Sequence, residues 1–239
     1  MSLFGRAYAD GDRLEVDGAA VRLRVHRGAR RVSLRLDRRT REIVATAPSA
    51  RRLSEAAAFA RSRTGWIATT LSKLPDPAPL TPGMILFVLG EPVRLVQGTG
   101  RARYRPPGDG APAAIEAMGE GEGFARAATL VIRRRALAAL TERTAHYAGW
   151  LGQPMPKVSL QDATGRWGSC RPGAVRYSWR LALAPLAVLD YVAAHECAHL
   201  VEANHGPRFW ALVRDLCGDP APHRAWLRAE GARLHAVGS

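Results

Sequence analysis

The chain is poor in lysine and cysteine and has no long apolar run. Only Lys73 and Lys157 are lysines, so 33 of the 35 basic residues are arginine. In so alanine-rich a chain this looks partly like the coding bias of a GC-rich genome. The cysteines are three, Cys170, Cys197 and Cys217, an odd number at uninformative spacing. No disulfide framework and no cysteine-only zinc site follow from them, and reduced thiols in a cytoplasmic protein are expected. There is no N-terminal apolar run of signal length and no apolar stretch of about 18 residues, so no membrane partner is expected. Internal repeats and coiled-coil heptads are absent too. What remains, 239 residues that are 47% hydrophobic, suffices for one large domain or two small ones.

The net charge of +14 raises the question of a polyanion partner. It is unevenly spread: residues 1–75 carry 16 basic and 7 acidic side chains, and the other 164 carry 19 and 14. A surface for nucleic acid or a nucleotide would therefore use the N-terminal arginines, although a charged face is usually a solvated one.

The stretch His195-Glu196-Cys197-Ala198-His199 carries the clearest chemistry. Histidines four apart share one face of a helix, so both imidazoles can meet one ion. Glu196, about 100° round the helix, can reach a water on that ion without being a ligand. A third ligand is then needed, and His205 is the candidate. On an unbroken helix it would lie ~9 Å beyond His199, so the helix must turn back just after Glu202. Asn204 and Gly206 can take the left-handed conformation that ends a helix, and Pro207 suits the first turn of the next. Cys197 reads as a small packing residue. His223 and His235 are possible fourth ligands but read as surface histidines. The aromatic pair Phe209 and Trp210 is expected to pack beneath the site.

Patterning sets the frame. Val21, Leu23 and Val25 alternate with arginines, Val32 to Asp37 repeats the pattern, and Ile43 to Ala47 follows. These predict a small antiparallel meander with an arginine-studded outer face. Residues 52–74 predict one helix, with Trp66 a core anchor. A proline-rich connection runs from Pro75 to Pro82, a hairpin turns at Gly90-Glu91-Pro92, and residues 98–123 predict loops with one or two short strands. A long helix is expected from Phe124 to Trp150, with Leu130, Leu137, Leu140 and Tyr147 apolar and Arg133-Arg134-Arg135 on its solvated face. A strand at Val158–Gln161 and a hairpin about Arg171-Pro172-Gly173 lead to the histidine helix. The whole predicts an α+β protein. Residues 1–122 would form an N-terminal antiparallel β-rich region with one helix, and 123–239 the catalytic domain.

The series Arg166-Trp167-Gly168-Ser169-Cys170, then Leu189 to Leu200, then Asn204 to Trp210 resembles the YgjP-like metal-dependent hydrolases, relatives of the SprT-like zinc metallopeptidases. The arginine-rich strands and the Trp66-Ile67 helix resemble that family's leading region. The resemblance implies a zincin-like fold with one zinc per chain on His195, His199 and His205, and Glu196 as catalytic base. The histidine spacing equals that of the metzincins, but Glu202 stands where those have glycine, so a different turn is expected. The basic tail or zinc ribbon of some SprT-like proteins is not evident.

Three neutral imidazoles leave a position on zinc for water. The expected activity is a metallopeptidase acting on peptides or partly unfolded protein. A strand of the hairpin before the metal helix would pair with extended substrate, with Trp167 and bare-backboned Gly168 as substrate-binding residues. The alternative for those two is a core tryptophan and a permissive bulge. Arg166, Tyr177, Arg180 and His223 are equal candidates for an assisting electrophile. Two rival readings keep the metal: a nucleotide phosphoanhydride hydrolase, and a SprT-like protease tethered to nucleic acid.

Overall fold

The computed structural model describes residues 7–37, 40–108, 110–163 and 165–238. Arg6, Arg38 and Arg39, part of the arginine-rich N-terminal stretch, lie outside them, as does Thr164. The chain is α+β and forms two compact units that part between Asp76 and Pro77, within the proline-rich connection. The sequence boundary at 122/123 falls inside the second unit. No helix among the described residues is long and apolar enough to cross a membrane.

In the first unit, β1 (Arg13–Val16), β2 (Ala19–Val25), β3 (Ser33–Asp37) and β4 (Glu42–Ala47) form one sheet in the order β1-β2-β4-β3. It is mixed, which corrects the expected antiparallel meander: β2 runs parallel to β4, with Val21 opposite Ile43 and Leu23 opposite Ala45. The reason is burial. Ile43, Val44, Ala45 and Ala47 are fully buried, so the strand apolar on both faces takes a central place and β3 moves to the edge. Three arginines of this sheet are paired with carboxylates. Arg13 meets Glu42, Arg22 meets Asp37 and Glu42, and Arg24 meets Asp10.

The expected single helix is two, α1 (Leu53–Arg61) and α2 (Thr64–Ser72). At the break the Ser62 hydroxyl donates to the Phe59 carbonyl at 2.9 Å, a local bond that competes with helix continuation. Ile67, two helical turns beyond the buried Ala60, keeps its place on the apolar stripe, and Trp66, the expected anchor, is 44% exposed.

The second unit begins with β5 (Ile85–Val88), β6 (Glu91–Gln97), β7 (Arg103–Arg105) and β8 (Ala114–Ala117), ordered β5-β6-β8-β7. The β5–β6 turn falls at Leu89-Gly90, both at positive φ, the conformation of a tight hairpin turn. The long helix α3 (Gly121–Trp150) follows. Phe124, Ala128, Ile132, Ala136 and Leu140 form its buried stripe, while Leu130 and Leu137 are exposed. The alanines, rather than those two leucines, let α3 lie close to its neighbours.

Next come β9 (Lys157–Gln161), β10 (Gly168–Arg171) and β11 (Ala174–Ser178), ordered β10-β11-β9. The β10–β11 hairpin turns through Gly173 at φ 72°, a left-handed position that glycine takes without strain. After the tight helical turn Trp179–Leu183 come α4 (Leu186–Ala198), α5 (Pro207–Cys217) and α6 (Ala221–Ala236). The core beneath them joins Val175, Tyr177 and Trp179 to Phe124, Val192 and Phe209.

Candidate metal centre

Helix α4 is held against α3 by a polar clasp that sequence reading missed. The Arg143 guanidinium bonds the Asp190 carboxylate, the Tyr147 hydroxyl donates to the same carboxylate at 2.8 Å, and Arg143 also reaches that hydroxyl at 3.1 Å. Its one visible signal was an aspartate inside an otherwise apolar helix. Below the clasp, Thr144 bonds the Tyr177 hydroxyl at 2.9 Å, and the Cys197 thiol, fully buried, points at the Thr144 carbonyl. Cys197 thus faces the core.

The helix stops at Ala198, earlier than expected, and Val201 and Glu202 turn back onto the Ala198 carbonyl. No left-handed residue makes the turn, which corrects the expected roles of Asn204 and Gly206: Gly206 has φ −78° and opens α5, with Pro207 in its first turn. In their place, the His199 ring holds the Glu202 carbonyl through Nδ1 at 3.0 Å. The ring donates there, which leaves its Nε2 bare.

The turn brings three histidines together. One nitrogen from each of His195, His199 and His205 lies within 4.8 Å of the others. His195 Nε2 and His205 Nε2 stand 3.2 Å apart. Two nitrogens on one tetrahedral zinc, each ~2.0–2.1 Å from it, would stand about 3.3 Å apart. The donor set therefore fits such an ion. The cluster has no fourth donor among the described residues, whereas structural zinc sites are closed by four. His235, read as a surface histidine, is buried and stacks on Trp167.

Phe209 forms a floor beneath the cluster, with its ring centre 4.9, 4.5 and 4.7 Å from those of His195, His199 and His205. Burial, reinforced by the other two imidazoles, pushes His195 down to about 4, and burial also lowers His199. Both rings are thus neutral at pH 7, the state that binds metal.

Glu196 is 6% exposed. Burial raises its carboxyl to about 7, against the opposing pull of the Arg166 guanidinium. Its carboxyl lies against Gly168 of β10: a methyl group there would fall 2.4 Å from Oε1 and 2.6 Å from Cδ. Gly168 and the three histidines line one cleft of about 750 Å³ with Glu196. Trp167 does not line it, and its ring stacks on His235 at 4.6 Å between centres. Of the electrophile candidates, Tyr177 is spent on Thr144, while Arg180 bonds Asp162 and the Val237 carbonyl. Arg166 is exposed near Glu196. His223 stacks on Tyr191, whose ring in turn lies 5.9 Å from that of His195.

A family model described as the YgjP-like metallopeptidase domain matches residues 30–230. No curated protein and no solved structure matches the chain.

Proposed function

The chain belongs to the YgjP-like family and carries its metallopeptidase domain, and from that premise we propose that it hydrolyses peptide bonds with one zinc ion held by His195, His199 and His205. The observation that carries this reading is the convergence of three imidazole nitrogens within 4.8 Å, with no fourth donor among the described residues, beside a buried glutamate. A divalent metal there supplies Lewis acidity, polarising a carbonyl oxygen and lowering the pKa of a water molecule.

The remaining steps belong to the chain's own groups. His199, steered by the Glu202 carbonyl, presents Nε2 inward. Glu196 takes a proton from the attacking water and delivers it to the leaving amine. A carboxyl raised to about 7 is suited to both halves of that exchange near neutral pH. Gly168, by lacking a side chain, lets this carboxyl lie against β10.

The substrate is an extended peptide or a partly unfolded protein. β10 is an edge strand, and its outer backbone groups can pair with an extended chain along the cleft. Apolar residues, Pro154, Met155, Pro156 and Leu200, line the same cleft, where Arg171 is the sole guanidinium among the lining residues. That lining suits side chains better than a run of phosphates, and so favours peptide over nucleotide.

The test is metal content by mass spectrometry on wild type, Glu196→Gln and His205→Ala, with casein and a nucleotide panel as substrates. One zinc per chain in wild type and Glu196→Gln, little in His205→Ala, and casein cleavage by wild type alone are expected. Zinc bound as tightly by His205→Ala would remove the third ligand. Release of phosphate from nucleotides without casein cleavage would replace peptide by phosphoanhydride.

A further inference from the structure

A second cavity, of about 820 Å³, lies in the 77–238 unit and shares no lining residue with the histidine cleft. Its walls are the end of β6, the turn into β7, Glu116 of β8 and one side of α3. Four guanidiniums line it, those of Arg101, Arg103, Arg134 and Arg135, against one carboxylate, Glu116. That carboxylate is already occupied: Arg103 donates to it at 2.8 Å and Arg105 at 3.2 Å.

The four arginines are unequally engaged. The Arg135 guanidinium carbon lies over the Tyr104 ring, 3.5 Å from its centre, with one terminal nitrogen 3.6 Å from Glu91. Its Nε is buried and has no hydrogen-bond partner among the described residues. Arg101 and Arg134 are exposed and form no ion pair among the described residues. The Arg133-Arg134-Arg135 run, expected to be a solvated face, thus sends two of its members to a cavity wall.

Guanidinium donates and never accepts, and its planar fork matches anionic oxygens two at a time. A wall of several such forks, with its one carboxylate engaged, calls for a ligand that is all acceptor and repeatedly charged. Arg103 already shares Glu116 and Arg135 lies near Glu91, whereas Arg101 on the β6–β7 side and Arg134 on α3 pair with no carboxylate among the described residues, so an anion charged at more than one point can answer both sides. We propose that this cavity binds an oligophosphate anion, held between Arg101 and Arg103 on the β6–β7 side and Arg134 and Arg135 on α3. Val96, Ala102 and Val131, which also line it, leave room for an apolar portion of the same ligand. The site stands independently of the metal reading.

Calorimetric titration of the full chain with sodium tripolyphosphate, at two ionic strengths, tests this. Saturable binding that weakens with salt is expected, and Arg101→Glu with Arg134→Glu should weaken it roughly tenfold or more. Arg134→Lys, which keeps the charge and loses the fork, should fall between. His205→Ala should bind as wild type does; loss of binding there would put the anion on the metal centre and overturn the proposal. So would equal affinity in the double glutamate variant, once circular dichroism shows it folded. A nucleoside triphosphate in a parallel titration separates the two sources of such a ligand. Affinity equal to that of tripolyphosphate assigns the site to the phosphates alone, and tighter binding lost in the same variant assigns it to a nucleotide. Binding of a single-stranded oligonucleotide, with no binding of either small anion, would overturn the assignment.

Discussion

Gly168 and Glu196 occupy one another's space: the position a side chain would take on the first is filled by the carboxyl group of the second, 2.4 Å from where a methyl would stand. Gly168 pairs with Tyr177 across the β10–β11 hairpin, so the strand cannot retreat without breaking its ladder. The glutamate would have to move.

With Glu196 in the proposed role of base, Gly168→Ala is accordingly expected to keep its metal and lose turnover. A displacement of about 1 Å at a reacting group can cost roughly 10²-fold in rate, and a kcat loss of that order is anticipated, with KM little changed. Steady-state kinetics on a casein-derived peptide, beside metal analysis, measures it. Full activity would mean that the carboxyl has another place to work from.

The raised Glu196 carboxyl has a sign that stability can read. Its ordinary value is near 4.5 and its folded value about 7. Between those values the folded state binds more protons than the unfolded one, so ionising Glu196 as pH rises weakens the metal-free fold. Glu196→Gln removes that cost. The metal-free variant should be more stable than metal-free wild type at pH 8, by on the order of 3 kcal/mol, and no more stable near pH 4. Urea unfolding at both pH values decides it, and an advantage that persists at pH 4 would point to packing instead.

Asp190 joins two partners across α3 and α4. Asp190→Ala strands the Arg143 guanidinium and the Tyr147 hydroxyl, at a cost of about 1–3 kcal/mol. A shifted urea midpoint with an unchanged slope is expected. Metal content should hold, because the clasp lies a full turn or more from His195.

How much of this was legible in the sequence depended on range. The convergence of His195 and His199 follows from helical spacing alone, and the need for a turn before His205 follows from distance. Where the turn falls did not, because it is set by the His199 ring taking the Glu202 carbonyl, a bond between a side chain and a backbone group that no periodicity records. Strand faces were readable at Val21 and Leu23, but alternation tells which face is buried and is silent on which strand lies alongside. The parallel pairing of β2 with β4 was therefore hidden. Trp66 failed for a smaller reason: the spacing of Leu53, Ala57, Ala60 and Ile67 already gives the buried face to its neighbour, and the next position round the helix points elsewhere. The clasp at Asp190 and the crowding at Gly168 are contacts between distant segments, and beyond the lone aspartate among apolar residues no pattern names their partners.

The Phe209 floor has one more consequence. With its ring centre 4.5–4.9 Å from those of all three imidazoles, Phe209 narrows the orientations open to the half-buried His195 and His199 rings before any ion arrives, which lowers the ordering entropy of capture. The same rigidity makes the pocket a judge of shape. Copper(II) outranks zinc in raw affinity for imidazole but favours tetragonal geometry. To obtain it, the ion would have to tilt rings wedged against a buried phenylalanine, and the packing of one aromatic side chain thereby takes part in choosing the element.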